Sequence, residues 1–103
     1  RREVAPAARR VELAGLPAGR PGEVRVAAVT FTVETGERFD VRLLDRAGRV
    51  VGTDGCRVRP DSPVCQILLP NEAVGLEVVA AKGRPPVRAA VAAVEVRSDV
   101  SGP

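Results

Sequence analysis

The sequence predicts an all-β fold, an antiparallel β-sandwich of about seven short strands, with a small β-barrel as the alternative closure. Three observations carry this. Val-rich stretches alternate apolar and polar residues, as in Phe39-Asp40-Val41-Arg42-Leu43, the period of a strand buried on one face. Gly, Pro, Asp and Asn punctuate those stretches at short intervals. Val is β-branched and favours a pleated surface over a helix.

The elements follow in order. Residues 1–10 read as an N-terminal arm or a short edge strand, 11–98 as a single β domain, and 99–103 as a polar tail. Val11-Glu12-Leu13 alternates briefly before the Gly- and Pro-rich loop from Gly15 to Gly22. A long strand is expected from Val24 to Glu34. Its apolar phase slips across Ala27-Ala28, which predicts a β-bulge there. Glu34-Thr35-Gly36-Glu37 then reads as a turn joining this strand to the Phe39 strand as an antiparallel pair.

Asp45-Arg46-Ala47-Gly48 is a tight turn with Gly at the position that needs positive φ, and Arg49-Val50-Val51 returns as a strand. A loop with Pro60 and Pro63 lies between Cys56 and Cys65. Val64 to Leu69 is the next strand, and Asn71-Glu72-Ala73 turns the chain. Val74, Leu76, Val78 and Ala80 alternate in a further strand, expected to pair with the one after the Lys82–Pro86 loop. That last element, 87–97, has two readings. Val87, Ala90, Val91 and Val94 fit a helical stripe, whereas Val94-Glu95-Val96-Arg97 alternates as a strand. Strand is the reading taken and helix the alternative.

The cadence of Val29–Val51, in which a turn Gly precedes Phe39-Asp40-Val41 and an Asp/Gly turn precedes Val50-Val51, is similar to that of many secreted bacterial β-sandwich accessory modules. Carbohydrate-binding and pre-peptidase C-terminal modules are among them. The likeness implies the fold and carries over no family and no function.

At 103 residues the chain has room for one modest core. That core is made of small parts. Phe31 and Phe39 are the only aromatic residues, and Met, Trp and Tyr are absent. A covalent staple then matters more than usual. The two cysteines lack the spacing of a redox pair, and no His is available to complete a zinc site, so a Cys56–Cys65 disulfide is predicted. Such a bond persists in oxidising compartments, which places the protein in the periplasm or outside the cell. The sequence opens at Arg1, as either a mature exported chain or an excised domain would. No stretch is apolar enough to span a membrane as a helix.

Composition also narrows the function. The absence of His removes the commonest general base, and Ser62, Ser98 and Ser101 read as turn or tail residues, so no enzyme and no cofactor are expected. Asp54 and Asp61 lack the pattern of a calcium loop and read as turn-capping residues. The net charge of +3 comes almost wholly from Arg, interspersed with acids, as a high-GC coding bias would produce. Read instead as a surface, Arg25, Arg42, Arg57, Arg59, Arg84 and Arg88 are candidate anion-binding residues. With both Phe expected in the core, stacking on bases is missing and sequence-specific nucleic-acid binding is not expected.

The leading functional expectation is a non-catalytic, exported structural or protein-interaction subunit or accessory domain that docks to a protein partner or self-assembles. Leu44, Leu68 and Val79 are its candidate interface residues, because they are apolar at strand positions outside the core phase. The alternative is a small binding module for an acidic glycan or other polyanion.

Overall fold

The computed structural model describes residues 10–81 and 83–98. Seven strands form: β1 Arg10–Leu13, β2 Glu23–Phe31, β3 Glu37–Leu44, β4 Val50–Val58, β5 Val64–Leu69, β6 Gly75–Val79 and β7 Ala89–Ser98. They make two antiparallel sheets, here sheet I in the order β1-β6-β3-β4 and sheet II in the order β5-β2-β7. No helix and no closed barrel occur among the described residues. The sandwich expected from the sequence is the fold, and its last element is the strand β7 rather than a helix.

The core lies between the sheets and follows the pleat. Phe39, Val41 and Leu43 point inward from β3, Cys56 and Val58 from β4, and Leu76 and Val78 from β6. Sheet II answers with Ala27, Val29 and Phe31 from β2 and Ile67 and Leu69 from β5. Alanines 27, 73, 80 and 89 are also buried, so part of the interior is closed by backbones approaching rather than by large side chains.

Strand partners depart from the simplest reading of the turns. Only β3 and β4 form a hairpin between consecutive strands. The Glu34–Glu37 turn carries the chain from sheet II to sheet I, so β2 and β3 do not pair; they face each other across the core. β6 likewise pairs with β1 and β3, while β7 pairs with β2. A turn rich in Gly and acidic residues serves an arch as readily as a hairpin. In the arch, Phe31 and Phe39 stack on each other across the core, both buried.

Two further details differ. The return strand after Gly48 does not stop at Val51: β4 runs on to Val58 and includes Cys56. The apolar phase of β2 does not slip, because Arg25 occupies an inward position in line with Ala27, Val29 and Phe31. The irregularity is nevertheless at Ala28. There Ala28 pairs with Ala93 and Val29 with Val91, so the extra residue of the bulge is Ala92, in the neighbouring β7.

The Asp45 turn forms as its residues dictate. Gly48 takes φ +81°, and Asp45 Oδ1 accepts the amides of Ala47 at 2.9 Å and Arg49 at 2.8 Å. These hydrogen bonds, the Arg49 amide foremost, hold the Asp45 carboxyl below its usual range.

Candidate functional site

Cys56 of sheet I and Cys65 of sheet II are joined by a disulfide with a Cα–Cα distance of 5.8 Å, within the span such bonds require. The staple therefore crosses the sandwich. Between the cysteines, the chain turns through Arg59 and Ser62, whose amides and carbonyls bond reciprocally at 3.1 and 2.9 Å. Asp54 Oδ1 accepts the adjacent Gly55 amide at 2.7 Å, but both residues lie inside β4, so Asp54 caps no turn there as the sequence led one to expect.

The candidate arginines separate into three environments. Arg25 is 1% exposed. Its Nη1 donates to the carbonyls of Pro17 and Ala73, and its Nη2 to those of Pro70 and Asn71. Those carbonyls belong to the β1–β2 and β5–β6 loops, so Arg25 ties both loops over one end of the core and is withdrawn from any surface ligand. Burial pushes its pKa down. Arg42 lies on the outer face of sheet I, where Glu77 accepts from it at 3.3 Å and pairs with Arg10 at 3.3 Å.

The remaining four, Arg57, Arg59, Arg84 and Arg88, gather at the opposite end of the sandwich. Arg84 forks onto Glu37, Nε to Oε1 at 3.0 Å and Nη2 to Oε2 at 2.6 Å. This bidentate bond holds the Glu37 carboxyl below its usual range. Two concavities flank the bridge and share both of its residues. One, of about 440 Å³, is walled by Arg38, Arg57 and Arg59; the other, of about 600 Å³, by Thr32, Thr35, Pro85, Pro86 and Arg88. Arg38 was not among the sequence candidates. The signal for it was its place on the outer phase of β3, where the hairpin register sets it opposite Arg57.

The candidate interface residues are divided between faces. Leu44 and Val79 sit half-buried on the outer face of sheet I, Val79 between Arg10 and Asp40. Leu68 is on the outer face of sheet II and is 61% exposed. Its neighbours there are Val26 across the ladder, Val64 at 47% exposure, Val24 and Ala28. Thr30, Gln66 and Glu95 are polar residues of that face, and the register also sets Arg97 opposite Val24. The two outer faces are thus chemically unlike: sheet I presents Arg, Asp and Glu side chains, with Glu77 paired to Arg10 and Arg42, and sheet II presents mainly Val, Leu and Ala on β2 and β5.

The chain matches no protein-family model, no curated protein and no solved structure. Among the described residues, no helix is long and apolar enough to cross a membrane. Function rests on the surfaces themselves.

Proposed function

We propose that this domain is a non-catalytic interaction module that packs the outer face of sheet II against a neighbouring protein surface within a larger assembly. The observation that carries the reading is Leu68, 61% exposed opposite Val26 and flanked by Val24 and Ala28, with Val64, 47% exposed, further along β5. An exposed lone Leu is ordinary, but an apolar patch shared by two neighbouring strands, here β2 and β5, and rimmed by the polar residues Thr30, Gln66 and Glu95 is a recurrent docking surface.

Magnitude selects the kind of partner. With strands about 4.8 Å apart and a rise of about 3.4 Å per residue, the face measures on the order of 300 Å². A stable complex between free proteins buries about 800 Å² per partner. Burying 300 Å² yields roughly 7 kcal/mol of gross stabilisation, which the estimated 4–15 kcal/mol cost of association largely cancels. A neighbour held close by a linker or by other subunits avoids most of that cost. Accessory domain or structural subunit is therefore the favoured role, ahead of a free homodimer. The disulfide supports an oxidising setting, extracellular or periplasmic.

The test is Leu68→Asp in the chain as it occurs in its assembly, with Thr53→Asp on sheet I as control. The expected result is release of the Leu68→Asp chain from the assembly, an unchanged Thr53→Asp chain, and matching circular dichroism for both. A folded Leu68→Asp chain that stays fully associated would count against the docking face.

A further inference from the structure

The arginine-lined end of the sandwich is separate from the sheet II face and needs its own account. Arg38 and Arg57 stand directly opposite each other on β3 and β4. Like charges so placed destabilise a sheet, and no carboxylate pairs with either side chain among the described residues. Arg59 adds a third cation just past the end of β4, its stem lying over Gly36, where an added Cβ would come within 3.5 Å of Cγ. Its contact with Asp61 is long, 3.7 Å, and exposed on both sides. Across the Glu37–Arg84 bridge, the exposed Arg88 continues the same positive rim.

The form of the site narrows the ligand. Two concavities meeting at one ion pair suit an extended molecule better than a single small anion. The larger adds hydroxyls from Thr32 and Thr35, the Glu34 carboxylate and the flat apolar rings of Pro85 and Pro86, a wall suited to a ligand that carries hydroxyls and C–H faces beside its charged groups. Nucleic-acid single strands are usually gripped by stacking aromatics, and both phenylalanines are buried, at 3% and 4% exposure. Guanidinium forks match the planar oxygens of carboxylate and the oxyanions of sulfate alike.

We propose that this end of the sandwich binds an acidic glycan, with Arg38, Arg57, Arg59 and Arg88 contacting its charged groups and the Glu37–Arg84 bridge forming the floor between the two concavities. The site is independent of the docking face.

Isothermal titration calorimetry on the whole chain tests it, with a heparin-derived decasaccharide as the sulfated probe and a polygalacturonate oligosaccharide as the carboxylate probe. Dextran, a ten-nucleotide oligo-dT and polyglutamate serve as comparators. Binding of at least one acidic glycan is expected, weakened tenfold or more by Arg57→Ala and by Arg88→Ala. Arg46→Ala, which removes the same charge from the distant β3–β4 turn, should leave it unchanged. Three results would overturn the proposal: no binding of either glycan, equal weakening by Arg46→Ala, or binding of oligo-dT or polyglutamate as tight as that of the glycan. The first sinks the site, the second makes it net charge alone, and the third makes the ligand another class.

Discussion

Phe31 of sheet II and Phe39 of sheet I stack ring on ring across the core, with centroids 4.8 Å apart and planes within 3° of parallel. Carbon contacts close at about 3.5–4 Å, so parallel rings at this separation are offset, the arrangement that aromatic quadrupoles favour. These are the chain's only aromatic side chains. Their contact bridges the sheets beside the Thr32–Glu37 connection.

Truncating either ring should therefore be among the costliest changes in the interior. Phe31→Ala or Phe39→Ala is expected to lose about 3–5 kcal/mol, a large share of the 5–15 kcal/mol typical of a domain. A double-mutant cycle should return a coupling of about 0.5–1.5 kcal/mol. Because Trp and Tyr are absent, unfolding is followed by far-ultraviolet circular dichroism or calorimetry. Losses under 1 kcal/mol for both would show that the stack is not central to the core.

The disulfide gives a second prediction. In the chain-entropy model, opening it should cost about 2.5–3 kcal/mol, equivalent to a drop in melting temperature of about 10–20 °C for a domain of this size. Cys56 is 1% exposed, so dithiothreitol should react slowly with the folded protein and quickly in urea. Rapid reduction under native conditions, or a melting temperature indifferent to reduction, would contradict this placement of the bond.

The sequence made the strands legible and their partners much less so. Alternation located Phe39–Leu43 and Leu76–Val78 because each of these runs has one dry face, and the apolar run Val64–Leu69 was bounded by Pro63 and Pro70. The Asp45–Gly48 hairpin was legible because Asp and Gly have few other reasons to occur in that order. The Glu34–Glu37 and Lys82–Pro86 turns carry no such information: their chemistry suits an arch or a hairpin, and the choice is made by long-range packing. Arg25 misled in another way. It reads as a surface residue for an anion, yet four loop carbonyls supply its acceptors and let it occupy a core position. For the candidate sites, Leu68 and four of the six arginines were visible as types. Their grouping at one end required the arches to be known.

Acid should expose the two bridged carboxylates. Asp45 is held below its ordinary pKa chiefly by the Arg49 amide, and Glu37 by the Arg84 fork. A carboxylate with a depressed folded pKa adds stability that is fully present above its unfolded value, near pH 4, and lost as pH falls through the folded one. The melting temperature should thus hold between about pH 7 and 5 and decline below about pH 4. Asp45→Asn and Glu37→Gln should each flatten that acid limb while lowering stability at neutral pH. Calorimetry from pH 3 to 7 checks this; an acid limb of unaltered steepness in both variants would show that these groups do not set it.

Arg25 gives the sharpest contrast between substitutions. Its Nε has no hydrogen-bond partner, while both terminal nitrogens hold loop carbonyls, so the planar fork matters and a lone positive charge does not suffice. Arg25→Lys, which keeps the charge, should still cost about 2 kcal/mol or more, because carbonyls in the β5–β6 loop are left without donors. Arg25→Ala should cost about 3–5 kcal/mol, the range for breaking a buried charged network. Gly19 supplies an independent check from outside the side chain. A Cβ there would meet Arg25 Nε, Asn71 Cα and Asn71 Oδ1, each at 2.9 Å. Two of those atoms belong to the facing loop, one of them backbone, so relief requires the loops to part. Gly19→Ala is therefore expected to destabilise by about 1–3 kcal/mol, as overpacking does, and to speed hydrogen exchange at Gly19, whose amide donates to the Asn71 carbonyl at 3.1 Å. Exchange there as slow as in the parent chain, with Arg25→Lys fully stable, would mean that the loops are held by something other than this guanidinium.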